Sequence, residues 1–329
     1  VHPDVLRLPD PEATIAEVVA GLREAVHGFR RRGAVVGLSG GVDSSVVVAL
    51  AARAFGPDAV LGLLMPEADS AGDTLDLGRL AADAFGVPTV LEDITDVLTA
   101  AGCYRRRDDA IRRVIPEYGP GWRAKLVLPS VVESDRFRLF SLVARAPDGQ
   151  ETTVRLPLEA YLQVVAATNF KQRSRKMMEY YHADRLNYAV MGTPNRLEYD
   201  QGFFVKNGDG SADVKPIAHL YKTQVYQLAE ALEVPDEIRR RPPTTDTYSL
   251  PQTQEEFYFS LPYDRMDLCL YAVDHGIPAE EAAAAVGLTA EQVQRVFGDI
   301  AGKRRVARYL HAAPVVWAPV GGGGTPGRP

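Results

Sequence analysis

One short string of glycine, serine and acidic residues offers the clearest chemistry in the sequence: Ser39-Gly40-Gly41-Val42-Asp43-Ser44-Ser45. Two adjacent glycines let the backbone come close to a ligand, and the first amides of a following helix present unpaired N–H groups with a partial positive charge. The serine hydroxyls add further donors. A turn capped by serine or aspartate would account for any two of these residues, but the whole string predicts a phosphate-binding turn. No Gly-Lys-Ser/Thr follows, so the Walker pattern does not fit.

Acidic residues near this turn indicate a metal ion. A carboxylate beside a phosphate is repelled unless a cation lies between them, so Asp43 predicts Mg²⁺. Glu198 is the last residue of a second segment that leads from a predicted strand into a loop, Gly192-Thr193-Pro194-Asn195-Arg196-Leu197-Glu198. If this segment leaves a sheet at the same edge as Asp43, the carboxylate of Glu198 would complete the Mg²⁺ site. A plain surface acid is the alternative for Glu198.

Strands that alternate with helices predict the frame for these residues. The order implies an α/β fold with a parallel sheet and helices on both faces, which binds ligands beyond the carboxyl ends of its strands. The C-terminal part, over 255–276 and 279–308, is predicted to be helical. We expect strands over 34–38, 60–65, 87–91 and 186–191, and helices over 11–32, 44–55, 74–85, 167–183 and 221–232.

The alternation breaks down over about 102–167, which we interpret as an insertion. Apolar runs over 137–143 and 152–156 flank Pro147-Asp148-Gly149, and the Asp-Gly pair predicts an inserted β-hairpin. The segment also carries a basic cluster, which we expect to be a solvated face rather than a substrate site. The cluster consists of Arg105, Arg106, Arg107, Arg112 and Arg113.

Composition limits the classes of function. The chain has 37 Lys and Arg against 43 Asp and Glu, a net charge of −6, so no general attraction to nucleic acid or anionic membranes is expected. Cys103 and Cys269 are its two cysteines, which excludes a disulfide scaffold and a four-cysteine metal site and fits the reducing cytoplasm. We expect a single domain over 1–320, including the insertion, and a disordered tail over 321–329.

Taken together, these motifs resemble the NAD synthetases of the ammonia-dependent type, a branch of the ATP pyrophosphatases (adenine nucleotide alpha hydrolase-like superfamily). The phosphate-binding turn alone would also suit GMP, asparagine or argininosuccinate synthetases and tRNA-thiolating enzymes. The block from Gly192 to Asp213, with its glycine-rich Gly208-Asp209-Gly210, separates the NAD synthetases from these. The resemblance runs from the turn to Arg304 and is interrupted by the insertion.

The resemblance implies roles for individual residues. The turn, Ser39, Gly40, Gly41, Val42, Asp43, Ser44 and Ser45, would hold the ATP phosphates, with Thr193, Lys222 and Thr244 completing the ATP site. Asp43 and Glu198 would bind Mg²⁺. Arg173, Lys206, Asp213 and Lys303 match positions that bind deamido-NAD, which is nicotinate adenine dinucleotide. Departures from the family pattern lie near the acyl-accepting end: Val205, Asn207, Phe259-Ser260 and Gly302.

The implied reaction is the formation of an amide. The carboxylate of deamido-NAD would attack the α-phosphorus of ATP and release pyrophosphate, and ammonia would then displace AMP to give NAD. Mg²⁺ held by Asp43 and Glu198, the amides of the turn and Lys222 would neutralise the departing charge. Asp209 is the candidate for orienting ammonia or accepting its proton, with a turn-capping role as the alternative.

Other functions are weighed against this one. The first alternative is a ligase of the same build acting on another carboxylate in specialised metabolism. An RNA-binding thiolation enzyme would need a basic surface and a catalytic cysteine pair, and a net charge of −6 with two distant cysteines argues against it. The presence of both predicted metal carboxylates, Asp43 and Glu198, argues against a non-catalytic nucleotide sensor. We expect a homodimer from the resemblance, and ammonia that is either free or supplied by a separate glutaminase subunit docked on the hairpin.

Overall fold

The structure, a computed structural model, describes residues 2–132, 140–245 and 247–317. Its strands are β1 (Ala34–Gly37), β2 (Val60–Leu64), β3 (Thr89–Leu91), β4 (Arg123–Val127), β5 (Ser141–Arg145), β6 (Glu151–Arg155) and β7 (Ala189–Met191). Four strands form a parallel sheet in the order β3-β2-β1-β7, and β4, β5 and β6 form a separate antiparallel sheet.

Helices follow most strands. Within the described part of the chain, no helix combines the length and the apolar character that crossing a bilayer requires. The helices are α1 (Pro11–Gly28), α2 (Val42–Phe55), α3 (Thr74–Ala84), α4 (Thr95–Ala100), α5 (Cys103–Arg112), α6 (Leu158–Leu186), α7 (Arg196–Gln201), α8 (Lys222–Ala231), α9 (Asp236–Arg240), α10 (Tyr263–Asp274), α11 (Ala279–Val286) and α12 (Ala290–His311).

Successive side chains of the central strand enter different cores. Val36 lies in the core formed with α1, α2 and α8, whereas Val35 lies in the core formed with α6, and both are fully buried. Because neighbouring residues of a strand point to opposite faces, this division requires a helical layer on each side of the sheet. The predicted α/β fold with helices on both faces is confirmed.

The predicted phosphate-binding turn lies where β1 leaves the sheet. The helix begins at Val42, two residues earlier than predicted, so Asp43 lies in its first turn. Gly40 takes a left-handed conformation, with φ +70°. A Cβ at this position would lie 2.8 Å from Leu77 Cβ and 2.9 Å from the carbonyl oxygen of Thr74. The turn is therefore pressed against α3, and only glycine fits this position.

The insertion is larger than a hairpin. Strands β5 and β6 confirm the hairpin, close to its predicted bounds, although its first residues, 137–139, lie outside the described residues. The sequence analysis missed β4, which pairs with β5 from Arg123–Arg145 to Val127–Ser141. It also missed α4 and α5, which precede the sheet. The sheet packs on α5 and α6 around Leu126 and Leu142.

The prediction of a solvated arginine cluster is wrong for Arg107. Its side chain is only 12% exposed and forms ion pairs with Asp69 and Asp108. The sequence offered no sign of this burial, because Asp69 reaches α5 from the loop that follows β2. Both cysteines are buried.

The C-terminal part is helical but interrupted. The segment predicted as one helix over 255–276 is divided by Ser260, whose positive φ of +65° ends a short π-helical turn before α10 begins. The predicted tail over 321–329 lies outside the described residues. The expectation of a single domain stays a prediction.

Substituting alanine for Gly40 tests the tight contact with α3. The matched control is Gly86→Ala, because Gly86 has a similar φ of +66° but its Cβ would have no atom nearer than Pro57 Cβ at 3.8 Å. Gly86→Ala should lower the free energy of unfolding by about 1–2 kcal/mol through backbone strain alone. Gly40→Ala should lower it by about 1–3 kcal/mol more, because it adds a steric clash. Urea denaturation measures both, and equal losses would contradict the proposed contact.

Candidate active site

A cavity of about 560 Å³ opens at the carboxyl edge of the parallel sheet. The turn follows β1 and Thr193 follows β7, and these neighbouring strands meet where the strand order reverses, which is where such sheets bind ligands. Gly40 and Ser45 lie behind the lining and support it. The predicted residues that line the cavity are Ser39, Gly41, Val42, Asp43, Ser44, Thr193, Glu198, Asp209, Lys222 and Thr244.

Hydroxyl groups hold the turn in shape. The Ser44 hydroxyl donates to the carbonyl oxygen of Gly41 at 3.0 Å and accepts from the backbone N–H of Ser39 at 3.3 Å. Ser45, which is fully buried, donates to the same carbonyl at 2.9 Å. The serines therefore serve the turn itself as well as any ligand, and the helix N-terminus behind them favours an anion.

Lys222 and Asp43 form a buried ion pair at the centre of the site. The Lys222 ammonium donates to Asp43 Oδ2, and only 3% of the lysine side chain is exposed. Burial alone would lower the pKa of Lys222, but Asp43 and Glu198 together raise it to about 12. Lys222 is therefore a permanent cation beside the turn at any physiological pH.

Glu198 lies beside this pair because of its place in α7. Asn195 and Glu198 form a capping box: the Glu198 N–H donates to Asn195 Oδ1 at 3.3 Å and the Asn195 N–H donates to Glu198 Oε2 at 3.2 Å. Gln254 donates to Glu198 Oε1 at 3.0 Å. Burial, with the nearby charge of Asp43, raises the pKa of Glu198 to about 8, although Lys222 opposes the shift.

Asn195 connects the two predicted metal carboxylates. Its side-chain N–H donates to Asp43 Oδ1 at 3.2 Å, while its backbone N–H holds Glu198. Two carboxylates close enough to raise the pKa of one of them form an oxygen donor set that a hard cation would neutralise. The residues therefore fit Mg²⁺ shared with phosphate oxygens. Among the described residues, no group of three or more His, Cys, Asp or Glu side chains forms a closed metal site.

Asp209 lines the cavity and also holds its own loop. Its Oδ1 accepts the backbone N–H of Val205 at 2.7 Å, so the turn-capping role expected as the alternative is present. Burial raises the pKa of Asp209, which makes this carboxylate a better proton acceptor near neutral pH than an exposed aspartate. Both roles are open to the same side chain.

The four residues predicted to bind the dinucleotide lie outside the cavity lining. Arg173 donates to the Lys206 carbonyl at 3.3 Å, and Lys206 donates to the carbonyl oxygens of Tyr309 and Ala312 at the end of α12. Asp213 accepts from the Val190 N–H at 2.8 Å. Lys303 is buried between Asp299 and the Tyr258 carbonyl. The described chain does not bring these residues together with the ATP residues.

Sequence analysis missed Asp267, which positions Lys222. The Asp267 carboxylate accepts the backbone N–H groups of Lys222 and Thr223, at 3.3 and 2.7 Å, and so caps α8 from α10. Burial raises the pKa of Asp267 to about 7, although the hydrogen bonds from Thr223 and Lys222 act to lower it. No local pattern identifies such a cap, because it lies 45 residues from Lys222. Asn195 could have been found from the Asn-x-x-Glu pattern with which α7 begins.

The fold and the site define a class of protein. A parallel sheet with a serine-glycine turn at the start of α2, and carboxylates beside a permanent cation, indicate an enzyme of the ATP pyrophosphatase fold. The sequence model of the NAD synthase family matches residues 14–112 and 150–306. The chain therefore belongs to the NAD synthase family.

Individual relatives agree with this assignment. The chain is 60% identical over 317 residues to the NH(3)-dependent NAD(+) synthetase of Rhizobium meliloti, covering 96% of this chain and 95% of that protein. It is 61% identical over 313 residues to the protein of the same name from Mesorhizobium japonicum, covering 95% and 98%. The solved NH3-dependent NAD synthetase from Campylobacter jejuni superposes with a TM-score of 0.61 at 19% identity, covering 94% and 100%, and shows the shared fold.

The raised pKa of Glu198 predicts a pH dependence of stability. An unfolded glutamate titrates at about 4.3, and Glu198 at about 8 in the folded protein, so between these values the folded state binds more protons. Its contribution to the free energy of unfolding should therefore fall as pH rises through this window. Lys222 stays protonated in both states there and contributes no slope.

Urea denaturation in magnesium-free buffer from about pH 5 to about pH 8 measures this effect. Glu198→Gln should become progressively more stable relative to the wild type as pH rises. Glu230→Gln, at an exposed acid, should keep the wild-type slope. Parallel curves for Glu198→Gln and the wild type would rule out the raised pKa.

Proposed function

We propose that the protein is an ATP-dependent amide ligase that adenylates the carboxylate of deamido-NAD and aminates it with ammonia, giving NAD, AMP and pyrophosphate. The observation that carries the proposal is the convergence of Asp43, Glu198 and Lys222 on the phosphate-binding turn. Membership of the NAD synthase family, and the names of relatives about 60% identical, support the choice of acid and of ammonia.

The first step needs the neutralisation of negative charge. A carboxylate cannot be amidated at neutral pH without a better leaving group, so its oxygen attacks the α-phosphorus of ATP and pyrophosphate departs. The amides of the turn and the Lys222 ammonium would bind the phosphates where this charge develops. Asp43 holds Lys222 in place for this role.

Mg²⁺ is the proposed cofactor, with Asp43 and Glu198 as its protein ligands. The ion would supply electrostatic stabilisation of the departing pyrophosphate. Asp43 and Glu198 would hold the ion, and the Lys222 ammonium beside them would contact the phosphates.

The second step would be aminolysis without a covalent enzyme intermediate. Ammonia attacks the acyl carbon, the bond from this carbon to the phosphate oxygen breaks, and AMP leaves. Asp209 is the proposed acceptor of the proton that the new amide loses, because its carboxylate lines the cavity and its pKa is raised by burial. Free ammonia is the proposed nitrogen source, and a separate glutaminase subunit is the alternative.

Arg173, Lys206, Asp213 and Lys303, which lie outside the cavity lining, are proposed to bind the part of the dinucleotide acid that lies away from its reacting carboxylate. Arg173 and Asp213 are exposed, so their side chains remain accessible from the surface. A homodimer is proposed from the family resemblance, with the acid near the subunit boundary. The cytoplasmic location that the cysteine content favours is part of the same proposal.

Incubation with ATP, Mg²⁺, ammonium and deamido-NAD tests the function directly. NAD and AMP should form in equal amounts, with release of pyrophosphate. A panel of other carboxylic acids should include the mononucleotide half of deamido-NAD. If AMP forms only with one of these acids, the protein is the alternative, a ligase that acts on another carboxylate. If no acid triggers ATP turnover, the protein is not an adenylating enzyme.

Lys222→Met should lower the rate of adenylation by about 10²-fold or more, because one preorganised cation is removed from developing charge. Exchange of labelled pyrophosphate into ATP, in the presence of the acid, measures this step alone. Lys125→Met is the matched control, since Lys125 forms an ion pair with Glu256 at 2.6 Å and does not line the cavity. Wild-type exchange in Lys222→Met would remove Lys222 from the mechanism.

Asp209→Asn separates the two roles of Asp209. Asparagine keeps an oxygen that can accept the Val205 N–H, so the loop should stay in place while the proton acceptor is lost. Aminolysis should slow by about 10²-fold and pyrophosphate exchange should not change. Single-turnover formation of NAD measures aminolysis, and a normal rate would leave Asp209 with the turn-capping role alone.

A further inference from the structure

Aromatic side chains from separate segments form one wall of the cavity. Phe140, immediately before β5, stacks on Tyr161 of α6 with ring centroids 4.5 Å apart and planes at 16°. Phe257 lies 6.3 Å from Phe140, and Phe203 lies 5.9 Å from Phe257. All four rings line the cavity. We call Phe140, Tyr161, Phe257 and Phe203 the aromatic wall.

The aromatic wall lies far from the phosphate-binding turn. One face of α6 follows the cavity along its length, from Glu179, whose Oε1 lies beside Gly37, to Tyr161. At the rise of an α-helix these two positions are about 27 Å apart along the axis. The cavity therefore continues from the turn along α6 to the wall, which leaves room beyond the phosphates for the rest of a nucleotide. The residues on this face are Tyr161, Val165, Thr168, Asn169, Gln172, Arg175 and Glu179.

The wall is not an ordinary hydrophobic core. Its four side chains are half-buried, whereas Leu126 and Leu142, in the core of the same insertion, are 0% and 1% exposed. Ring surface therefore remains available to a ligand. Asn169, which also lines the cavity from α6, offers an amide with both donors and an acceptor.

The insertion completes this wall. Phe140 lies in 113–149, between the two segments that the model of the NAD synthase family matches, whereas Tyr161 and Phe257 lie within the matched ranges. The stacked partner of Tyr161 is thus supplied by a segment outside the common family sequence.

We propose that the aromatic wall is a stacking subsite for a flat heteroaromatic ring of one of the two nucleotide substrates. Ring faces favour offset stacking on such surfaces, and nucleobases stack on aromatic side chains with little dependence on their hydrogen-bonding groups. The proposal rests on the proposed function, which supplies two sources of such a ring. One is the adenine of ATP, and the other is the pyridine or adenine ring of deamido-NAD.

Leucine substitutions at Phe140 and Tyr161 test the subsite. Each should raise the KM of one substrate by about tenfold, the scale of losing one stacked ring, with little change in kcat. Tyr161→Phe keeps the ring and should restore the wild-type KM. A rise in the KM of ATP identifies adenine of ATP as the ring, and a rise in the KM of deamido-NAD identifies the dinucleotide.

Inorganic tripolyphosphate provides an internal control, because it shares the phosphates of ATP and has no ring. Its inhibition constant should be the same in the wild type and in Tyr161→Leu. Trp122→Leu is the matched control in the insertion, since Trp122 packs on the same core and does not line the cavity. It should leave both KM values unchanged.

Two results would overturn the subsite. One is wild-type KM values for both substrates in Phe140→Leu and Tyr161→Leu, and the other is an equal rise in Trp122→Leu, which would mean that the insertion acts only through stability. Calorimetric titration with ATP and with deamido-NAD, without turnover, measures the same affinities. Failure of the proposed function would appear as absent NAD synthesis by the wild type, whereas failure of the subsite would appear as unchanged binding by the variants.

Discussion

The buried ion pair between Lys222 and Asp43 is the interaction on which the site depends. It joins the first turns of α8 and α2, two helices whose N-termini both approach the carboxyl edge of the sheet. A buried charge without its partner costs about 3–5 kcal/mol, so neither side chain can leave unless another ion replaces it. A phosphate group with its cation is such a replacement, since it offers negative charge to Lys222 and positive charge to Asp43. Within the pair, each side chain balances the charge of the other, and a ligand with both charges could take the place of either partner.

The surroundings of this pair explain why the C-terminal helices belong to the site. Asp267 of α10 caps α8 and so determines where Lys222 begins its helix, and Gln254 holds Glu198 from the loop that precedes α10. Both contacts are made by polar groups that lie largely out of water, where an unsatisfied donor or acceptor is costly. The chemistry lies on the sheet edge, but its geometry depends on residues far along the chain.

The sequence predicted the features that depend on interactions between residues close together in the chain. The turn, the strand before it and the helix after it follow from the order of apolar residues, glycines and serines, and Glu198 follows from the loop after β7. Tertiary contacts could not be predicted in this way. Asp267 contacts Lys222 only because α8 and α10 pack together, and Arg107 is buried because it pairs with Asp69 from another loop. Strand β4 had a usable signal, since Ala124 and Leu126 alternate with exposed or half-buried residues, but no turn marked its pairing with β5.

The network around Lys171 shows how the insertion is joined to the frame. Its ammonium, on α6, donates to Glu67 at 2.9 Å, to Asp69 at 2.7 Å and to the carbonyl oxygen of Thr247 at 2.8 Å. Arg107 of α5 binds the same Asp69. Since buried charges must be satisfied in a defined geometry, this network fixes α5, α6 and the loop around Thr247 relative to the exit from β2. The sheet β4-β5-β6 packs on α5 and α6, so the same constraint that buries Arg107 also holds Phe140 against Tyr161. The part of the insertion that the structure describes is thereby held in place as a wall of the cavity.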